Sequence, residues 1–204
     1  MLKSKIDWRG ALLHFVEREA KPVEKFGHQP RLYELTKLIG RGLDYDDDIV
    51  YAAAYLHDLG VFTGHRPEDP EALSHWNHVL YTVAKTPQVL AECQFPPEKV
   101  AAVLKCIEHH QPNDEPETIE SIILRDADIL EQLGAMGILR TVCKVGRDTR
   151  FATFSDAQAS LAKAIEVLPG KLRLETSKAL AQERMRVHRE FLVALATEAD
   201  GRLF

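Results

Sequence analysis

The run Asp46-Asp47-Asp48-Ile49-Val50-Tyr51-Ala52-Ala53-Ala54-Tyr55-Leu56-His57-Asp58-Leu59-Gly60 constrains the chain most, with acids at its front, small apolar residues in its middle and a His-Asp pair just before a glycine. Carboxylates suit a first helical turn, where unpaired N–H groups and the helix dipole favour negative charge, and Gly60 suits a helix end. The pattern predicts a buried helix that runs up to Gly60 and delivers two polar side chains. Ala52, Ala53 and Ala54 leave almost no side-chain bulk one turn before His57, so neighbouring helices can approach and leave room for an ion beside the imidazole. An unpaired buried carboxylate is costly, and a divalent cation satisfies both residues together. Taken alone, the dipeptide reads first as a C-terminal turn in which His57 meets the last carbonyls and Asp58 sits in water. Its company elsewhere in the chain favours the metal.

That company sits in 204 residues, 45% hydrophobic and 28% charged, the composition of a globular chain expected to form a single domain over 1–204. The N-terminus lacks the apolar core of a signal peptide, and no stretch approaches the roughly 20 apolar residues of a membrane span, so a cytoplasmic location without membrane contact is expected. A net charge of −5 argues against an extended nucleic-acid surface, although a local basic pocket for phosphate is compatible with it. Three cysteines without C-x-x-C spacing indicate neither a disulfide framework nor a zinc knuckle, and read as buried free thiols.

In chain order, 8–20 carries Leu12, Leu13, Phe15 and Val16 on one side of a helix closed off by Pro22. Pro30 is tolerated only in a first turn, which places His28 at or just before the start of the next helix, with Arg31 one turn on. The segment 63–70 is a loop by composition, with His65 simply part of it. Residues 71–85 read as one helix holding His75 and His78 on a shared face, ended by Pro87. After Pro96-Pro97-Glu98, the apolar stripe of Val100, Val103, Leu104 and Ile107 puts His110 on the buried side, whereas His109 points elsewhere. A strongly apolar helix over 118–134 contains Asp126 and Asp128. Helices continue through Arg150, over 155–168, and from Lys171 to about Glu198. No alternating strand pattern stands out, and the fold class is all-α.

Taken together, His28, the His57-Asp58 doublet, His78, His110 and an aspartate of the Asp126/Asp128 pair form an ordered set. It resembles the HD superfamily of metal-dependent phosphohydrolases over about residues 22–150. The likeness is closest to bacterial HD-domain proteins whose motif ends in a stretch standing here as Asp126-Ala127-Asp128-Ile129-Leu130-Glu131-Gln132-Leu133-Gly134-Ala135-Met136-Gly137-Ile138. The resemblance implies an HD-domain helical bundle, with 151–204 as additional C-terminal helices that cap the core or form a subunit contact, compatible with a homodimer. Helical periodicity puts Asp126 on the apolar face, yet the family's ligand resembles the aspartate of an Ala-Asp pair with an acid three residues on. That is Asp128, with Asp126 as the alternative ligand or as support behind the ligands. Two departures stand out: Val61 occupies the position where some members carry a lysine after the doublet, and no Gly-Tyr-Pro signature follows His109-His110.

The resemblance implies a divalent ion (Mn, Mg, Ni, Co, Zn or Fe) held by His28, His57, Asp58 and Asp128, with His78 and His110 serving a second ion or the substrate. Catalysis would then rest on a metal-bound water with Asp58, acting on a small phosphorylated substrate such as a nucleotide. Arg31, Lys144, Arg147 and Arg150 are candidates for steadying phosphate, the last three at three-residue helical spacing; a solvated basic face explains those three as well. Two other functions are compatible with this framework: a di-iron oxygenase of HD type, and a regulatory domain that retains metal and binds a nucleotide without turnover.

Overall fold

Residues 7–148 and 150–203 are described by the structure, a computed structural model. Among them are ten α-helices and no strand: α1 (Trp8–Glu19), α2 (His28–Ile39), α3 (Asp47–Leu56), α4 (Pro70–Ser74), α5 (His78–Glu92), α6 (Val100–Glu108), α7 (Ile119–Glu131), α8 (Gly134–Val142), α9 (Phe154–Val167) and α10 (Glu175–Ala199). The all-α class read from the sequence therefore holds. No helix among the described residues is long and apolar enough to cross a membrane. The chain divides into two compact units, one ending at Arg125 and the other beginning at Asp126.

The first unit is built around α3. Asp46 caps it by accepting the N–H of Asp48 at 3.0 Å, and Asp47 and Asp48 fill its first turn as the sequence predicts. Arg9 from α1 reaches Asp47 and Asp48 at 2.8 and 2.6 Å, and Lys99, just before α6, reaches Asp46 and Asp48, both at 2.8 Å. Each such half-exposed pair contributes little by itself, and together they fix the start of α3 between its neighbours. From Ile49 to Leu56 every residue is buried, because α3 packs against α1, α2 and α6. The ring of Trp8 closes one end of this core, edge-on to Tyr51 and Phe95.

Several boundaries differ from the sequence expectation. The central helix stops at Leu56 and passes into a 3-10 turn over Leu59–Val61, so Gly60 is not its terminator. The helix expected over 71–85 is two helices, because the Asn77 side chain accepts the N–H of Leu80 and starts a new one. Pro87 lies inside α5 and does not end it. Of the cysteines, Cys93 and Cys106 are buried as expected, but Cys143 is exposed.

In the second unit α8, α9 and α10 pack against one another. A reciprocal Thr153–Asp156 capping box starts α9, and Pro169-Gly170 lies in the 3-10 turn Leu168–Lys171 that separates α9 from α10. The helix leading toward Arg150 ends early, at Val142, and Gly146 turns the chain with a φ of +73°. Lys144, Arg147 and Arg150 consequently do not share a helix face. Arg150 is bound to Asp148 at 2.7 Å, and the Lys144 ammonium lies 5.6 Å from the centre of the Phe151 ring.

Candidate metal centre

Within the first unit, four histidines from separate parts of the chain converge on Asp58. His28 opens α2, His57 caps the C-terminus of α3, His78 opens α5 and His110 follows α6 by two residues. His28 Nε2 and His57 Nε2 are 3.3 Å apart and lie 3.8 and 3.6 Å from Asp58 Oδ2. On the other side of the same carboxylate, Oδ1 is 3.9 Å from His78 Nε2. The His110 ring centre is 5.0 Å from that of His57 and 6.0 Å from that of His78. Two ligand groups result, His28/His57/Asp58 and Asp58/His78/His110, each with donor atoms within 4.8 Å of one another. Asp58 belongs to both and offers one oxygen to each side.

The hydrogen bonds behind the imidazoles decide what they present. His57 Nδ1 is 3.0 Å from the Ala54 carbonyl and His110 Nδ1 is 2.6 Å from the Ile107 carbonyl. A carbonyl only accepts, so each Nδ1 carries a proton, and in the neutral ring each Nε2 keeps its lone pair. This is the tautomer of a metal-binding histidine whose second nitrogen is anchored to the backbone. The Asp58 carboxylate is desolvated by burial, which pushes its pKa up. Positive charge on His57, His28, His110 and His78, present when those rings are protonated, more than offsets this and holds the group well below the usual carboxylate range. Bonds of about 2.1 Å to one cation bring ligand atoms to about 3.0–3.4 Å of each other, so the 3.3–3.8 Å spacing around His28, His57 and Asp58 fits a divalent ion after a small contraction.

Local packing that sequence reasoning missed sets this geometry. A Cβ on Gly60 would lie 2.5 Å from the carbonyl oxygen of His78 and 2.9 Å from its Cα, so only glycine lets α5 begin this close to the His-Asp turn. The Gly60 N–H donates to Thr82 Oγ1 at 3.0 Å, and its carbonyl accepts the Trp76 indole N–H at 2.8 Å. Arg125, buried on α7, donates to the carbonyls of Gln111 and Pro112 at 3.2 and 2.6 Å and fixes the loop just beyond His110. An arginine inside a strongly apolar helix was the available signal. His65, read as a simple loop residue, is held between Glu19 at 3.1 Å and the Tyr81 hydroxyl at 2.9 Å, away from the converging set.

In the second unit most of the long motif is committed to packing. Both Asp126 oxygens accept backbone N–H groups just ahead of α10, from Arg173 at 3.1–3.2 Å and from Leu174 at 2.9 Å. Glu131 is buried and lies 3.6 Å from Arg140. Gly134 adopts a φ of +69°, and a Cβ there would crowd the Arg184 side chain at 3.0 Å, while a Cβ on Gly137 would lie 2.2 Å from the Gln132 carbonyl oxygen. Asp128 is half-buried and accepts from the Gln132 amide at 3.2 Å. Of the candidate phosphate contacts, Arg31 is half-buried on α2, and Lys144 and Arg147 lie in the turns after α8.

A family model described as HD domain matches residues 26–133, more than half of the chain. Solved structures share the fold: YpgQ of Bacillus subtilis, in complex with ADP, is 22% identical with a TM-score of 0.74 over 95% of this chain and 96% of that one. The Lin1889 protein of Listeria innocua is 21% identical with a TM-score of 0.70 over 95% and 96%. An HD-superfamily hydrolase of Bacillus thuringiensis is 19% identical with a TM-score of 0.68 over 95% and 97%. No curated protein matches the chain.

Proposed function

The chain belongs to the HD-domain family, and from that membership together with the cluster around Asp58 we propose that it is a metal-dependent phosphohydrolase acting on a phosphate ester, a nucleotide or a related small phosphorylated metabolite. The observation that carries this reading is the division of Asp58, with Oδ2 toward His28 and His57 and Oδ1 toward His78, while backbone carbonyls fix the lone pairs of His57 and His110. His28, His57 and Asp58 would hold one divalent ion. His78 and His110 would complete a second site with Asp58 or orient the phosphoryl group. Asp128 enters the ligand set by family resemblance alone. A divalent ion held there supplies a Lewis acid that activates water and neutralises phosphoryl charge.

The side chains have distinct tasks. Asp58, ionised at neutral pH, provides the negative charge that would retain the cation and an acceptor for a hydrogen bond from water. Ala54 and Ile107 prevent the rings of His57 and His110 from turning away. Gly60 sets the approach of His78. The relative crystallised with ADP, and the relative described as a hydrolase, add support for a nucleotide and for hydrolysis.

The test is phosphate release from p-nitrophenyl phosphate and a nucleotide panel with Mn²⁺, Mg²⁺, Co²⁺ and Ni²⁺, alongside His57→Ala. Metal-dependent release that disappears in the variant is expected. Iron-dependent oxygen uptake without phosphate release would instead establish the oxygenase, for which a carboxylate shared by two histidine groups serves equally well.

A further inference from the structure

Beside the cluster lies an open groove of about 380 Å³, lined by Trp76, Asn77, His78, Val79, Leu80, Glu108, Gln111 and Asp114. His78 links the two, because its Nε2 lies 3.9 Å from Asp58 Oδ1. Among the described residues, two carboxylates line the groove and no lysine or arginine does. A second phosphate lying there would meet the like charge of Glu108 and Asp114.

The lining suits a different kind of chemistry. Asp114 accepts the N–H of Gln111 through Oδ2, and its other oxygen can receive a hydroxyl proton, as can Glu108. Asn77 gives its Oδ1 to Leu80 N–H and keeps an NH₂ group to donate. Trp76 is anchored through its indole N–H to Gly60, the residue two after Asp58, so its ring is held in place relative to the cluster. Val79 and Leu80, the latter 64% exposed, add apolar surface. Acceptors for a diol, an amide for a polar edge, and aromatic and aliphatic surface for a flat ring are what an uncharged nucleoside needs.

We propose that this groove binds the nucleoside part of the substrate, with Asp114 and Glu108 receiving the ribose hydroxyls, while the phosphate faces Asp58 and the histidines. This rests on the phosphohydrolase reading and narrows its substrate to a nucleotide whose nucleoside lies in the groove.

Titration calorimetry of the Mn²⁺-loaded protein with adenosine, 2′,3′-dideoxyadenosine, ethanolamine and inorganic phosphate tests this without turnover. Adenosine should bind, the dideoxy analogue about tenfold more weakly, and Asp114→Asn should lower the ratio of adenosine to phosphate affinity by about tenfold, as expected for a lost hydrogen bond to a charged acceptor. Asparagine can still accept the Gln111 N–H, and an unaltered circular dichroism spectrum checks that the turn survives. Equal binding of adenosine and its dideoxy analogue, no adenosine binding, or tighter binding of ethanolamine would overturn the assignment. Hydrolysis of p-nitrophenyl phosphate, measured separately, reports on the phosphohydrolase reading. Turnover without an adenosine preference sinks the groove alone, and adenosine binding without any phosphate release sinks the hydrolase alone.

Discussion

In the unit ending at Arg125, four imidazoles and a carboxylate turn toward one another, with acceptor atoms at the centre and backbone carbonyls behind two of the rings. In the unit beginning at Asp126, the buried carboxylate of Asp126 accepts the N–H groups of Arg173 and Leu174, and Glu131 lies beside Arg140. The first arrangement concentrates lone pairs and negative charge where only a cation can gather them. In the second, Asp126 and Glu131 find partners within the protein. Burial alone does not separate the two aspartates: Asp126 is the more buried of the Asp126/Asp128 pair, yet it accepts backbone N–H groups.

The largest effects are expected where that contrast is sharpest. Asp58→Ala or His57→Ala should lower phosphate release by about a thousandfold or more, since several kcal/mol of transition-state stabilisation depend on the ion. Metal content measured on the same preparations should fall in parallel, and activity that persists in either variant breaks the comparison at its root.

Next comes the pair Asp126→Ala and Asp128→Ala. Removing Asp126 strands two backbone N–H groups and should cost about 1–3 kcal/mol of stability in denaturant unfolding, with metal content kept. Removing Asp128 should weaken metal affinity at least about tenfold and leave the unfolding midpoint of metal-free protein nearly in place. Reversal of the two results would exchange their roles.

The sequence showed one side of this contrast better than the other. His28, His57, Asp58, His78 and His110 were legible as an ordered set through their resemblance to the family pattern; the choice of His110 over His109 rested on Val103 and Ile107, and His110 is indeed the buried one. What could not be read depends on contacts distant in sequence. Nothing near Asp126 announces that it will meet residues 47 and 48 positions later. Gly60 looked like a helix end because glycine often is one, whereas its missing side chain admits the backbone of His78. Pro87 was read as a helix end, yet it lies inside α5, whose start is set by the Asn77 cap. The three basic residues after Val142 lost their common face when Gly146 turned the chain.

A smaller effect is expected from Gly60→Ala, whose added methyl forces α5 away from the His-Asp turn. A loss of about 1–3 kcal/mol in stability and about tenfold in kcat/KM should follow, through displacement of His78. If activity is kept, the position of His78 does not matter to the chemistry.

The smallest concerns a buried histidine that joins no metal group found among the described residues. His188 on α10 is fully buried, and burial depresses its pKa below the ordinary 6.5, against a smaller opposing influence from the Leu161 backbone. Its neutral form is therefore favoured in the folded protein. Stability from this group is complete above pH 6.5 and is lost as pH falls from there through the depressed folded-state value. His188→Leu should flatten the dependence of Tm on pH in this window, and an unchanged slope would remove His188 as its source.

The most direct measurement of the central claim is anomalous scattering from crystals grown with Mn²⁺, with data collected on both sides of the manganese edge. A strong peak bonded to Asp58 Oδ2, His28 Nε2 and His57 Nε2 is expected, with a further peak on the Oδ1 side if His78 and His110 hold a second ion. A map without density among these atoms, or with manganese bound only elsewhere, would contradict it.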